Sequence, residues 1–351
     1  MQVSHSGSLL CSFSPAATFR YLLITCLSAV NCLAGETGCM SNLQQALANF
    51  NRLHSFRGVI QISQFDGSNK LLLHENHHWT LSGENQKVVR ERFLAEQKKQ
   101  FTTYSRYRGV ITTFLTGDFV KEGGRPSGKI GVEKWPIPVG AFISPHSFLG
   151  NIEGQSLQEI VSESREEAEE RPAGQCVLWL NSNESPISYQ VNMGPDNRLE
   201  SIRSYVVPAD DLSEKYREST GNDPKDLWIP RAKLELGNYI ELSGMDFPLS
   251  ATKTWYEVNQ EFREGVTQKM EASKSLDPLD PLPEPDQVIV RGVQVATFDP
   301  ETLEINPHVV DAEFEIDFPP GTTIMDHLEN RNYRLESLTE DVLDEINQSL
   351  R

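Results

Sequence analysis

The sequence predicts a mainly β protein with helices, an α+β fold organised around one large antiparallel sheet. Short runs rich in aromatic and β-branched residues recur between polar or Gly-containing breaks, a pattern typical of antiparallel strands. The segment ISYQVNM alternates apolar and polar residues, and Gly-Pro-Asp-Asn then turns the chain into LESIRSYVV, which predicts a hairpin. An amphipathic helix precedes the first of these strands.

That helix is predicted to begin near residue 41. Ser41 is the candidate N-cap, and Gln44 is placed to complete a capping box. An apolar stripe follows at helical spacing, made of Leu43, Ala46, Leu47, Phe50 and Leu53. In the next segment, Ile60 and Ile62 alternate with polar residues, as in a half-buried strand. We therefore expect the helix to place its apolar face on the sheet.

Four segments between the strands are predicted to be loops or short helices. Residues 121–131 form a Gly-rich loop, and residues 135–151 contain prolines that exclude a long helix and predict a partly apolar crossing segment. Residues 156–170 are typical of a short helix that runs into a charged, exposed tail. Residues 210–226 predict a polar surface loop with a helical turn.

The composition changes after the main domain, which we place at residues 40–272. Residues 273–287 combine several prolines with acidic residues and predict an extended linker. Residues 288–351 then predict a small β extension that ends in a C-terminal helix, with Ser337 and Glu340 as its capping box.

The N-terminus indicates export. Residues 21–34 (YLLITCLSAVNCLA) follow Arg20 and are shorter than the roughly 20 apolar residues that span a bilayer. They fit the apolar region of a secretory signal peptide over residues 1–34. An uncleaved anchor, or a start codon placed too far upstream, is the alternative. The residues before Cys26 and Cys32 match a lipoprotein signal poorly, and lipidation stays open.

Two cysteines lie beyond this leader. Cys39 and Cys176 are compatible with one disulfide in an oxidising compartment, which would tie the first helix to a central strand. Two buried thiols are the alternative.

The charge balance excludes two classes of partner. Asp and Glu number 50 against 32 Lys and Arg, so the chain of 351 residues has a net charge of −18. Nucleic acid and anionic membrane surfaces both need a basic footprint. Neither is therefore expected as the main partner.

No motif predicts a catalytic or metal centre. The segment GGRPSGK has the spacing of a phosphate-binding loop, but Ile130 stands where Ser or Thr is needed, and a hairpin loop is predicted instead. His74 and His78 share one strand face while His77 points the other way, so HENHH predicts a polar strand surface. The acidic run ESREEAEE lacks the pattern of a calcium loop. We expect no catalytic residue, no metal and no cofactor.

Apolar bulk on the strands is the feature that suggests a binding site. An ordinary core explains such residues, and the alternative is a sheet curved around a ligand cavity, capped by the opening helix and the proline-rich crossing segment. The candidates for lining that cavity are Leu47, Phe50, Ile60, Ile62, Trp79, Leu81, Phe114, Trp179, Tyr189 and Trp255.

The order of helix, Ser-Phe-Arg-Gly break and strand with Gln61 and Gln64 resembles the start of the periplasmic lipoprotein carriers of the LolA/LolB superfamily. The later segment WIPRAKLEL is also similar, and the resemblance covers residues 40–265. It implies an unclosed antiparallel half-barrel, capped by helices, whose cavity receives acyl chains in the periplasm or cell envelope of a two-membrane bacterium. Arg90 and Arg92 are the candidate positions for the arginine that holds the helical lid in these carriers.

Together these features predict an exported, non-catalytic protein without a membrane span in its mature chain. Its expected ligand is an acyl chain or a lipidated protein. An envelope sensor or scaffold that binds a protein partner through the same fold is the alternative, and a hydrolase is a third hypothesis.

Overall fold

The computed structural model of the chain describes residues 38–94, 98–132, 151–152, 155–170, 176–182, 186–207, 210–272, 283 and 285–335. The predictions for the leader, for nearly all of the crossing segment, for most of the linker and for the C-terminal helix lie outside these residues. The described α-helices are α1 (Gly38–Asn51), α2 (Asp118–Lys121), α3 (Leu157–Glu163), α4 (Asp210–Thr220) and α5 (Gln260–Ala272). Short 3₁₀ helices cover Pro195–Asn197, Pro224–Leu227, Pro285–Gln287 and Asp311–Phe314.

Within the described residues, eighteen strands account for most of the regular structure. In chain order they are β1 (Ser55–Asp66), β2 (Leu71–Ser82), β3 (Asn85–Phe93), β4 (Lys99–Tyr107), β5 (Val110–Gly117), β6 (Ser127–Val132), β7 (Asn151–Ile152), β8 (Gln155–Ser156), β9 (Ser164–Glu170), β10 (Cys176–Ser182), β11 (Ile187–Met193), β12 (Leu199–Val206), β13 (Ile229–Leu242), β14 (Met245–Val258), β15 (Val288–Phe298), β16 (Glu304–Ile305), β17 (Thr323–Asp326) and β18 (Arg331–Arg334).

One 16-stranded sheet holds all of these strands except the β7–β8 pair. Its order is β18-β17-β6-β5-β4-β3-β2-β1-β15-β14-β13-β12-β11-β10-β9, and β16 adds to the end of β1. All the pairings are antiparallel except that of β17 with β6. Within the described chain the first and last strands do not pair, so the sheet is unclosed. The predicted fold class, mainly β with helices on an unclosed antiparallel sheet, is confirmed.

Tight turns set the register of the long hairpins. The longest pair, β13 and β14, is joined by Ser243 and Gly244, which have φ values of 51° and 69°. Positive φ at both central positions is the geometry of a two-residue turn whose twist matches that of the strands it joins. The pairing of Leu242 with Met245 follows from it and fixes which residues of each strand share a face.

The placement of β15 corrects one expectation. Residues 288–298 were expected in a small β extension after the linker, but β15 lies at the middle of the sheet, between β1 and β14. Ala296 pairs with Ile62 on one side and with Ala251 on the other. The change to a proline-rich, acidic composition at residues 273–287 indicates a linker, and a linker suggests that a separate unit follows. The chain instead returns after 288 and joins two halves of the sheet that do not pair with each other directly.

Three local predictions are also corrected. Ser41 lies inside α1, which begins at Gly38, so it is not the N-cap. The expected charged tail after α3 is the edge strand β9, because Ser164–Glu170 pairs with β10. The polar segment at 210–226 contains the three-turn helix α4, whose acidic start and late Arg217 suit the helix dipole.

The core lies between α1 and one face of the sheet, which we call the helix face. α1 contributes the buried side chains Cys39, Met40, Leu43, Ala46 and Phe50 and contacts β9, β10, β11 and β14. Phe56 is fully buried at the centre of this face, with ring centroids 6.0 Å from Phe247, 6.2 Å from Phe298 and 6.4 Å from Trp79.

The opposite face of the sheet is covered in part by the segment after β16. Phe314 is buried there, and the Lys87 ammonium donates a hydrogen bond of 2.6 Å to the carbonyl of Glu315. Arg57 forms ion pairs of 2.6 Å with both Glu304 and Glu313. The segment between β16 and β17 is therefore held against this opposite face of the sheet.

Candidate functional site on the helix face of the sheet

Most of the predicted lining residues lie on the helix face. The strand residues there are Ile60, Ile62, Trp79, Leu81, Tyr189 and Trp255, which strand register places on one face of the sheet. Leu47 and Phe50 project from α1 into the same cluster. Phe50, Ile60, Ile62, Trp79, Leu81 and Tyr189 are buried, whereas Leu47 and Trp255 are half-buried and pack against the cluster. The face is therefore a contiguous apolar surface, with α1 lying on it.

Phe114 and Trp179 do not belong to this surface. Phe114 pairs across the sheet with Thr103, which places it on the face opposite Ile60, and its ring packs on Phe318 at 5.6 Å. Trp179 likewise points away from the core, and its ring contacts Trp228 at 5.2 Å. Successive side chains of a strand point to opposite faces of the sheet. Phe114 and Trp179 occupy positions of β5 and β10 that point away from α1. Their prediction as residues lining the same cavity is wrong.

A small cleft opens beside α1. Its walls are formed by Ala46, Asn49, Phe50, Asn197, Arg198, Leu199, Tyr239 and Asp246. Its volume is about 10 Å³, close to the space that one water molecule needs. An acyl chain therefore does not fit into this cleft while α1 lies in the described position.

The polar wall of the cleft is held by an ion pair. Arg198 donates to Asp246 over 2.8 Å, and its guanidinium lies 5.4 Å from the ring centroid of Tyr239. The hydrogen bond to Asp246 raises the pKa of Arg198, and burial raises the pKa of Tyr239. Asn197 donates to Gln45 of α1 over 2.8 Å, so polar contacts also fasten the helix at this end.

A buried charged cluster lies on the helix face of β2 and β3. Glu75 is 1% exposed and accepts hydrogen bonds from His77 Nε2 at 2.8 Å, Arg90 Nη2 at 2.8 Å and Arg92 Nε at 2.7 Å. The register of β2 and β3 brings these side chains together, because Glu75 pairs with Arg92 and His77 pairs with Arg90. We call these four residues the Glu75 cluster.

The electrostatics of the cluster fix its charge. Burial alone would raise the pKa of Glu75, but the hydrogen bonds from His77, Arg90 and Arg92 outweigh it and lower that pKa to about 2. Burial and the nearby Arg90 charge lower the pKa of His77, although Glu75 opposes them. At neutral pH the cluster therefore holds one carboxylate, two guanidinium groups and a neutral imidazole, and its net charge is positive.

The tautomer of His77 follows from these contacts. An ionised carboxylate only accepts hydrogen bonds, so the Nε2 that faces Glu75 carries the proton and Nδ1 is an acceptor. That Nδ1 atom is buried, and no described residue gives it a hydrogen bond. His77 is 3% exposed, so the prediction of a polar strand surface is wrong for this residue, while His74 and His78 are exposed as expected.

Further polar residues border the apolar surface at the same end of the strands. Lys253, Gln294 and Gln64 pair in one row across β14, β15 and β1. The next row toward the core runs through Ala251, Ala296 and Ile62 and leads to Glu75. Burial lowers the pKa of Lys253 to about 8. The helix face therefore changes from apolar to polar along the strand direction.

The sequence hypotheses did not include the Glu75 cluster. Alternation in HENHH places Glu75 and His77 on the same face of their strand, and alternation in KVVRERF places Arg90 and Arg92 on the same face of theirs. What the pattern lacks is the register between β2 and β3, which brings the two pairs together. Arg90 and Arg92, the candidate positions for a lid-holding arginine, form ion pairs with Glu75 within the sheet.

Three further features of the described residues bear on the sequence predictions: the two cysteines, possible metal ligands and the helices. Cys39 and Cys176 are both buried thiols in the core and are not joined to each other. Within the described ranges, no three His, Cys, Asp or Glu side chains are grouped so that they could hold a metal ion. None of the described helices is both long enough and apolar enough to cross a membrane.

Comparison with known proteins gives structural matches only. No protein-family model and no curated protein matches the chain. A crystal structure of a DUF1329 family protein from Desulfovibrio piger is similar at 12% identity and a TM-score of 0.40, over 84% of this chain and 100% of that one. A crystal structure of a LolA superfamily protein from Nitrosomonas europaea is similar at 11% identity and a TM-score of 0.38, over 80% of this chain and 99% of that one.

Proposed function

We propose that the chain is an exported, non-catalytic binding protein that holds an acyl chain, free or attached to a lipidated protein, against the helix face. The observation that carries this proposal is a contiguous apolar surface, built from both halves of the sheet, on which α1 and the shorter helix α3 pack. Each methylene group buried there contributes about 0.8 kcal/mol, so an apolar surface alone can bind an acyl chain. The apolar run at residues 21–34 supports export to the periplasm or cell envelope.

In this proposal α1 and the acyl chain compete for the same surface. The cleft beside α1 is far too small for an acyl chain, so in this proposal α1 moves away before the ligand enters at this position. A protein whose binding-competent state is only partly populated binds with an apparent affinity reduced by that fraction. Weakening the contacts of α1 should therefore strengthen ligand binding, which is the reverse of what a fixed cavity would show.

The substitution Phe50→Ala tests this competition. Phe50 lies on α1, is 7% exposed and lines the cleft, so its removal loosens the helix without changing the sheet. Truncation of a buried Phe removes about 3–5 kcal/mol of stabilisation, and every 1.4 kcal/mol is tenfold in an equilibrium constant. We expect the affinity for a fluorescent fatty-acid probe to rise at least about tenfold in this variant.

Phe314→Ala is the matched control. Phe314 is also buried, at 2% exposure, but it packs on Tyr107 on the opposite face of the sheet. It should destabilise the fold by a similar amount and leave probe affinity unchanged. A lower affinity in Phe50→Ala would point to a permanent cavity lined by Phe50, and equal gains in both variants would show that general loosening, not release of α1, exposes the surface.

A further inference from the structure

We propose that the Glu75 cluster is a head-group site, and that the ligand is an amphiphile whose head carries an anionic oxygen and a hydrogen-bond donor. This inference rests on the proposed function, since it assigns the polar end of the same ligand. The anionic oxygen binds the guanidinium of Arg92, and the donor, a hydroxyl or an amide N–H, binds Nδ1 of His77.

The position of the cluster suits a head group. His77 pairs with Ile60 across β1 and β2, and Trp79, two residues further along β2, belongs to the same apolar cluster as the α1 stripe. An acyl chain that lies along this surface would therefore end beside the cluster. The surface changes from apolar at Trp79 to charged at Glu75 along the single strand β2. The acyl chain of an amphiphile would therefore lie on the apolar part and its head group on the charged part.

The charge of the cluster favours an anion. Arg90 binds Glu75 through both Nε and Nη2, whereas Arg92 binds it through Nε alone among the described contacts. The Arg92 side chain is 42% exposed, compared with 16% for Arg90, so Arg92 is the more accessible of the two arginines in the cluster. The chain as a whole has a net charge of −18. The positive charge of the Glu75 cluster is therefore a local feature and does not reflect a generally basic surface.

The unfilled acceptor on His77 is the second, independent observation. Buried polar atoms nearly always have hydrogen-bond partners, and each exception requires an explanation. Nδ1 of His77 is buried and receives no hydrogen bond from the described residues. A ligand group that donates a hydrogen bond supplies the missing partner, and it also fixes the orientation of the head relative to Arg92.

Binding of matched lipids tests the site. The probes are a fatty acid, its methyl ester, the corresponding 2-hydroxy acid and the alkyl phosphate of the same length, each titrated by calorimetry at a pH where the acids are ionised. Charge-assisted hydrogen bonds contribute about 1.5–3 kcal/mol, so the acid should bind at least about tenfold more tightly than the ester. The 2-hydroxy acid should bind more tightly still, and the phosphate tells which anionic head is preferred.

Two variants assign the effect to Arg92. Arg92→Gln should remove the preference for the acid and leave the affinity for the ester unchanged. Arg331→Gln removes the same charge from another strand, where the arginine is 58% exposed and paired with Glu329, and it should change neither affinity. Equal binding of acid and ester by the wild-type protein would overturn the Arg92 contact, and a 2-hydroxy acid no tighter than the acid would overturn the His77 contact. If no probe binds, even to Phe50→Ala, the proposed function itself fails.

Discussion

Phe298→Ala is expected to lower the free energy of unfolding by about 3–5 kcal/mol, the usual loss when a fully buried Phe is truncated. Phe298 is the last residue of β15, is 1% exposed, and its ring centroid lies 5.1 Å from that of Phe247 and 6.2 Å from that of Phe56. The Phe298 ring therefore links β15 to β14 and to β1, and β1 is far from β15 in sequence. Chemical denaturation followed by circular dichroism would measure the loss as one cooperative transition.

Phe93→Ala provides the comparison for this large effect. Phe93 is 38% exposed at the end of β3, where its ring stacks on His74, so its truncation should lower stability by less than about 1 kcal/mol. If Phe298→Ala were equally mild, or if it produced a separate early transition, β15 would belong to a unit that folds apart from the main sheet.

Glu75→Gln is expected to destabilise the protein by about 3–5 kcal/mol, because removing one partner of a buried ion pair leaves its charges uncompensated. Arg90 would lose its carboxylate partner while only 16% exposed. Glu329→Gln is the control, since both members of the Glu329–Arg331 pair are more than half exposed and such pairs contribute at most about 1 kcal/mol. Chemical denaturation at neutral pH would measure both changes.

The pH dependence of the unfolding free energy tests the role of Glu75 in a second way. The folded-state pKa of Glu75 is about 2, below the ordinary value of 4.5, so its stabilising effect is complete above pH 4.5 and is lost as the pH falls toward 2. The difference in unfolding free energy between the wild type and Glu75→Gln should therefore narrow over that range. A difference that stayed constant would mean that the Glu75 carboxylate is not stabilised by its neighbours.

The sequence predicted local features of the fold better than its long-range pairings. Alternation in β1 and β11 and the apolar stripe of α1 report which side is buried, because a side-chain period of 2 or 3.6 residues is a local property. The position of β15 is not local. It depends on strand pairings across more than 200 residues of chain, and the proline-rich composition before it masked that return.

The same limit applies to the candidate site. Ile60, Ile62, Trp79 and Leu81 share a face with α1, as the strand patterns indicated. The size of Phe114 and Trp179 indicates burial but not the face of the sheet, because large apolar side chains also pack on the outer face when another segment covers it. The Glu75 cluster requires the pairing of β2 with β3, and residue types alone do not reveal which buried charges meet.

The proposed binding of an acyl chain is tested most directly by extraction of lipid from protein purified without detergent or denaturant, with intact-mass measurement of the native complex. We expect a bound acyl-chain species in the wild type, and uptake of an added fatty acid that is stronger in Phe50→Ala. Absence of any extracted lipid, together with failure of both proteins to bind the fatty-acid probe, would contradict it.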